Sequence, residues 1–314
     1  MMEAIRAPLK RLVVGALLAG LIVVVPAVAS ESDNGFQASV KALEWRNIGP
    51  FLGGRGSSVV GHPTDRNVFW FGHSSGGLWK TEDAGTYWTP VGQGQFRYAS
   101  VGAVALHEKN PDIMYVGLGE PQMRQSASWG DGVYKTTDGG KTWQHLGLNE
   151  ARQISQIIIH PDNPDHVYVS SMGRAWGPNP ERGVFRTKDG GKTWTKVLFK
   201  NDLTGTIDMV MSPKDPKVLF AAMWTFERKA WGAFFGGPDG GLWKSTDGGD
   251  NWTEITRNKG LPEGSWGRVG LTMSAADPKR VYALIDNETQ QGLYRSDDVG
   301  ETWRLVSTDA NILA

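Results

Sequence analysis

The chain has 314 residues, of which 33 are basic, 33 acidic and 39% hydrophobic. Zero formal charge excludes a standing field for nucleic acid or an anionic membrane, and zero cysteines exclude disulfides and lipid attachment through a thiol. With Gly 41, Pro 16 and Trp 14, the composition describes a turn-rich all-β protein whose core leans on aromatic rings.

In chain order, Arg6, Lys10 and Arg11 precede an apolar run over 12–25, and Ala27-Val28-Ala29 follows. A basic head, a short apolar middle and a small-x-small exit predict a signal peptide over 1–29, cut after Ala29. The run is short for a membrane span, so no stable span is expected after cleavage. The expected location is therefore periplasmic or extracellular, and export without disulfides fits a bacterial source. Residues 30–43 read as a linker, and Glu44-Trp45-Arg46-Asn47-Ile48-Gly49 reads as an outer β-strand.

From there one unit recurs. Over 100–148 a small and apolar strand is followed by a turn, a second strand, a long loop, a third strand, an Asp-Gly-Gly-Lys turn and a fourth strand. The same grammar covers about 53–92, 152–199, 204–256 and 266–307. The punctuation is Ser/Thr-x-Asp-x-Gly-x-Thr-Trp or a close copy, with its acid at Asp83, Asp138, Asp189, Asp247 and Asp298, spaced 55, 51, 58 and 51 residues apart. A period near 50 with four strands per unit predicts the blades of a β-propeller. The Gly supplies positive φ for the reversal between strands three and four, and the Asp accepts hydrogen bonds from the backbone of the turn. Trp88, Trp143, Trp194, Trp252 and Trp303 then enter the fourth strand as expected core residues. Full burial of each is worth at most about 4–6 kcal/mol by apolar area.

This pattern resembles the Asp-box (bacterial neuraminidase) repeat, from residue 45 to residue 306. Gly117-Leu118-Gly119-Glu120, Ser128-Trp129-Gly130-Asp131-Gly132, Trp176-Gly177-Pro178-Asn179 and Gly292-Leu293-Tyr294-Arg295-Ser296-Asp297-Asp298 resemble the N-terminal part of large exported bacterial proteins of a sortilin-type, glycosyl-hydrolase-like family. That resemblance implies a binding or scaffolding propeller for peptide, protein or glycan, or a glycoside hydrolase acting on extracellular polysaccharide. The outer strand at 44–49 has no blade to join, because the fifth unit carries its own fourth strand. The expectation is an incomplete ring of five blades. Residues 308–314 would begin a truncated continuation, and the remaining blades of a longer chain would be partners.

Strand alternation assigns the Asp-box turns to one face and the second-to-third-strand loops to the other. Those loops carry the variable residues: 119–131 holds Glu120, Arg124 and Trp129, and 170–182 holds Arg174, Trp176 and Glu181. The third, 224–239, holds Glu227, Arg228, Trp231 and Asp239. Arg55, Arg97, Arg152 and Arg268 lie near the starts of inner strands. Tryptophan beside Arg and Glu is the composition of a recognition surface, able to stack on a sugar ring or grip a peptide. These arginines and tryptophans are the candidate ligand-binding residues, with Glu120, Glu181, Glu227 and Asp239 as candidate catalytic carboxylates.

Sialidase chemistry is disfavoured, because the Arg-Ile-Pro segment that precedes the first repeat in those enzymes is missing. The opening Trp45…Gly53-Gly54…His62-Pro63…Gly76-Gly77 resembles the first blade of xyloglucanases, which carry an Asp two residues before the Gly-Gly; here that residue is Ser74. Gly72-His73-Ser74-Ser75-Gly76 fits the spacing of a serine-hydrolase elbow but joins two strands rather than a strand and a helix. His62, His73, His107, His145, His160 and His166 show no zinc spacing, and the Asp-Gly-Gly turns lack a calcium-loop ligand series. No metal or cofactor is expected.

Overall fold

The computed structural model describes residues 55–313, within the second of two compact units, Gly49–Ala314. The expected signal peptide, linker and outer strand at 44–49 lie outside the described residues. Blade 1 is β1 (Gly56–Gly61), β2 (Phe69–His73), β3 (Gly77–Thr81) and β4 (Thr89–Val91); blade 2 is β5 (Val101–His107), β6 (Asn110–Leu118), β7 (Val133–Thr136) and β8 (Gln144–His145). Blade 3 is β9 (Ile154–His160), β10 (Asn163–Ser171), β11 (Gly183–Thr187) and β12 (Thr195–Leu198). Blade 4 is β13 (Thr204–Met211), β14 (Leu219–Lys229), β16 (Gly241–Ser245) and β17 (Thr253–Glu254), with an extra strand β15 (Gly232–Phe235) paired to β14. Blade 5 is β18 (Trp266–Met273), β19 (Val281–Asn287), β20 (Gly292–Ser296) and β21 (Arg304–Ser307). In every sheet the strands are antiparallel neighbours in chain order.

The inner strands β1, β5, β9, β13 and β18 follow one another around a channel of about 610 Å³ to which all five contribute, and the ring is not closed. Four hydrophobic layers separate the five blades. Blades 1 and 2 meet through Trp70, Leu78, Val101 and Tyr134, blades 2 and 3 through Ala103, Tyr115, Ile154 and Phe185. Tyr168, Met209 and Leu219 fill the next layer, and Phe220, Phe226, Trp266 and Tyr294 the last. β14 is buried on both sides over Leu219–Trp224 because two blades cover it, and its continuous apolar run is the sequence signature of that burial.

Each inner strand carries a register shift near its start: between Gly56 and Ser58, Val101 and Ala103, Ile154 and Gln156, Thr206 and Asp208, and Trp266 and Val269. A bulge releases one residue from the ladder and re-aims its neighbours. Here the re-aimed groups join one blade to the next. The Ser57 hydroxyl donates to the Val101 carbonyl, the Ser58 hydroxyl accepts from Val104 N–H at 3.1 Å, Ser155 donates to the Thr206 carbonyl at 2.7 Å, and Asp208 accepts from Leu271 N–H at 2.8 Å. At Gly102, the corresponding position of blade 2, a Cβ would come within 2.2 Å of the Gly119 and Ile154 carbonyl oxygens, so backbone meets backbone with no room for a side chain.

The Asp-box turns have the geometry their sequence implies. In blade 3 the Thr187 hydroxyl donates to Asp189 at 2.7 Å and accepts from Gly191 N–H at 2.9 Å, while Asp189 accepts from Thr193 N–H and the Thr193 hydroxyl. Blades 1, 2, 4 and 5 repeat the pattern through Asp83, Asp138, Asp247 and Asp298. The turns lie at the end of the first-to-second-strand connections: Gly139 N–H donates to the Asp112 carbonyl and Gly190 N–H to the Asp165 carbonyl. The tryptophans depart from expectation. Only Trp303 is buried; Trp88, Trp143, Trp194 and Trp252 are partly buried, the last three packed against the cores between blades, because the fourth strand is the outermost of its blade. Trp88, Trp143 and Trp303 point their indole N–H back at the turn, to the carbonyls of Gly85, Gly140 and Gly300, each at 3.0 Å. These rings brace the turns as much as they fill the core, and the apolar gain of each is below the full-burial figure.

Candidate functional site

The opposite face is built by three long connections that converge. The connection 119–131 of blade 2 crosses the mouth as a strap. Its first residue, Gly119, has φ +97°, a backbone state open to Gly, and a Cβ there would meet the Arg152 carbonyl oxygen at 1.9 Å. Glu120 follows, fully buried, and accepts two hydrogen bonds from Arg55 at 2.5 and 2.7 Å. That fork raises the Arg55 pKa and ties blade 1 to the strap. Met123 then reaches into the core of blades 4 and 5, beside Met172, Ala175 and Phe226, and its carbonyl accepts from Arg228 at 3.3 Å.

Blade 3 contributes 171–182, organised by Arg182. This side chain is fully buried and donates to the carbonyls of Leu203, Arg174 and Gly177; burial pushes its pKa down to about 10. Blade 4 contributes an ordered segment where the sequence pattern predicts a loop. Residues 224–239 begin as a hairpin in which β14 runs on to Lys229 and β15 returns along it, pairing Phe226 with Phe235 and Lys229 with Gly232 around the tip residues Ala230 and Trp231. Aromatic residues on a pleated surface favour this pairing. Arg228 N–H donates to the Ala175 carbonyl, so the hairpin, the blade-3 loop and the strap form one surface.

The sequence-predicted residues distribute over this surface unevenly. Trp129, Trp176 and Trp231 stand on it with 44%, 41% and 83% exposure. The Arg152 guanidinium lies 5.3 Å from the Trp129 ring and pairs with Glu150, and Trp129 also walls a hollow of about 430 Å³ with Ser75, Tyr98 and Ser128. Arg124 is exposed on the strap, and Arg174 donates to the Pro178 carbonyl. Arg97 lies on the link into β5 beside Tyr98, and Arg228 is buried as a brace. Arg268 lines the channel instead, in a chamber of about 300 Å³ roofed by Pro121 and Gln122.

Each of the four candidate carboxylates has its own partner. Glu120 is held by Arg55, Glu181 lies 3.7 Å from Lys196, Glu227 lies 2.5 Å from Lys229, and Asp239 accepts from the Asn201 amide at 2.9 Å. Ser74, at the xyloglucanase Asp position, is buried and donates to the Arg55 carbonyl at 3.1 Å. Among the described residues no group of three or more His, Cys, Asp or Glu side chains could hold a metal, and no helix is long and apolar enough to cross a membrane.

Two residues escaped the sequence reading. Asp208 faces the channel from β13, and burial raises its pKa against the pull of the Leu271 and Met209 amides. An acid inside the apolar run Ile207-Asp208-Met209-Val210 was the available signal. Phe235 stacks on Trp224 at 6.3 Å yet remains 56% exposed; only the hairpin register separates it from an ordinary core phenylalanine.

Residues 131–259 match the family model described as Sortilin, neurotensin receptor 3. Over 245 residues the chain is 22% identical to a protein of Neosartorya fischeri named as a probable oligoxyloglucan-reducing end-specific xyloglucanase, covering 73% of this chain and 27% of that protein. It is 25% identical over 208 residues to a xyloglucanase of a Paenibacillus species, covering 56% of this chain and 19% of that one. The chain thus spans about a fifth to a quarter of the length of these relatives. Among solved structures, an ancestral GH74 enzyme superposes with a TM-score of 0.57 at 16% identity, covering 77% of this chain and 30% of its own; the likeness is one of fold.

Proposed function

We propose that this chain is an exported carbohydrate-binding propeller that captures a β-linked glucan on its mouth face without cleaving it. The observation that carries this reading is the exposure of Trp129, Trp176 and Trp231, one on each of three long connections that hydrogen-bond to one another. Indole faces beside Arg side chains suit the C–H faces and hydroxyls of a sugar chain. The relatives named as xyloglucanases support glucan as the ligand class. Against hydrolysis by this chain stands the pairing of all four candidate carboxylates; an inverting or retaining glycosidase needs two carboxyl groups facing across the bond at about 5–10 Å.

The second reading, a glycoside hydrolase, is favoured by those relatives' names and is separated by one experiment. Isothermal titration of the chain with soluble xyloglucan, with dextran as control, is run beside a reducing-end assay of the same mixture. Binding to xyloglucan, weakened several-fold by each of Trp129→Ala and Trp176→Ala and without new reducing ends, is the expected result. New reducing ends would establish the hydrolase. No binding to xyloglucan would remove glucan as the ligand and leave a peptide or protein partner.

A further inference from the structure

We propose that Phe235 is a pre-built stacking platform for the flat face of a β-linked glucopyranosyl ring, a subsite that rests on the glucan-binding reading above. The ring stands on an aromatic foundation. Trp224 lies near-parallel to it at 6.3 Å and 22°, and Phe226 meets it edge-on at 5.3 Å and 61°. Trp224 and Phe226 are themselves in contact at 5.1 Å, and both are buried in the blade 4–5 core. The Arg228 guanidinium carbon lies 6.0 Å from the Phe235 ring and is fixed by its bond to the Met123 carbonyl. Phe235 therefore spends one face on the core and keeps 56% exposure.

Hydrophobic burial alone does not explain this arrangement. A phenylalanine at a hairpin end is normally covered or replaced by a polar residue, whereas here Phe235 stays 56% exposed, as does Phe234 at 57% on the other face of the hairpin. Trp231 is the more exposed, but no ring contact among the described residues involves it, so it loses side-chain freedom on engaging a ligand. Phe235 has already lost that freedom in folding, which makes it the better-organised contact.

The occupant follows from shape and from the rim. A β-glucopyranosyl ring carries its hydroxyls near the ring plane and presents C–H groups on both faces, so it lies flat on an aromatic ring while its edge stays polar. An axial hydroxyl, as in mannose, obstructs one of those faces. On the same face of β14 the polar neighbour is Arg228, whose guanidinium carbon lies 6.0 Å from the ring, while Glu227 and Lys229 alternate to the opposite face. Beneath the platform, Trp224 Nε1 and Arg228 Nε are buried donors without an acceptor in the structure. A protein partner needs a far wider apolar patch than one exposed ring.

The test titrates the intact chain with cellohexaose and with mannohexaose by calorimetry. Phe235→Ala is expected to weaken cellohexaose binding about tenfold, as loss of one aromatic stacking contact does, and Phe235→Trp to retain it. Phe235→Leu, which keeps apolar cover over Trp224, should fold with an unchanged melting temperature and still lose the affinity. Wild type should prefer cellohexaose. If wild type binds cellohexaose and Phe235→Ala stays within twofold of it, or if mannohexaose binds equally, the platform is wrong while glucan binding stands. If wild type binds xyloglucan but neither oligosaccharide, the platform is wrong while glucan binding stands; if it binds none of the three, the glucan reading fails and the platform with it.

Discussion

The two ends of the blades use their side chains in opposite ways. At the Asp-box end, five turns repeat one set of local bonds, each closed within six residues of chain, as between Thr187 and Thr193 or between Ser245 and Asn251. At the mouth no two connections are alike. Blade 1 crosses from β2 to β3 in three residues, blade 2 sends a strap to blade 4, blade 3 wraps a buried Arg182, and blade 4 grows a hairpin. Bonds there span far greater separations, 65 residues for Arg55–Glu120 and 105 for Arg228–Met123. Local bonds tolerate change in the rest of the molecule; long-range bonds tie several blades into one surface. Repetition marks the scaffold, and departure from repetition marks where the blades were individualised.

That contrast can be broken at the mouth first. Gly119→Ala puts a methyl group against the Arg152 carbonyl in a backbone state disfavoured for alanine, and is expected to cost about 3 kcal/mol or more, read as a fall in the urea midpoint. If the strap is as flexible as an ordinary surface loop, the midpoint will not move. Next in size, Arg55→Ala strands the buried Glu120 carboxylate and should cost about 2–3 kcal/mol, more than Glu120→Gln, which leaves a half-exposed Arg free to find water. Equal costs for the two variants would show that the fork is not a buried-charge contact.

The Asp-box end should respond to acid instead. Asp247 is held down to about 2 by the backbone and side-chain amides of Asn251, against about 4 in an unfolded chain. Its contribution is complete above pH ~4 and is lost as pH falls through ~2, so Asp247→Asn should flatten the acid limb of a stability–pH curve and alter it little at neutral pH. An acid limb left unchanged by Asp247→Asn would erase the distinction. His166 responds in a higher window, since burial and the stacked His160 ring at 5.2 Å push it down to about 4. The native ring stays neutral while the unfolded one protonates near 6.5, so its contribution is complete above pH ~6.5 and declines as pH falls toward ~4. His166→Phe should remove that decline, checked by thermal melts across the window.

Much of this is legible in the sequence. The Asp-box octapeptide carries its own turn chemistry in Thr, Asp and Gly, so its geometry could be written down residue by residue. The four-strand unit followed from its period. What was not legible involved neighbours distant in sequence. Glu120 reads as a free acid until Arg55 is seen beside it, and Arg228 reads as a surface cation until its guanidinium is found under Phe235 and against Met123. The size of the fourth-strand tryptophans implies full burial; their place at the blade rim leaves four of the five only partly buried, three of them still packed on the core.

A repeating chain states its own blade, because hydrophobic alternation and turn residues act within a few positions and need no partner to be interpreted. It therefore determined the five four-stranded units, the direction of each turn and the face on which variable residues collect. It could not determine the inner-strand bulges that couple blades, the strap across the channel, or the hairpin that lifts Phe235 into solvent. Each of these depends on which atoms meet when separate blades are brought around one axis, and such encounters are encoded at no single stretch of sequence.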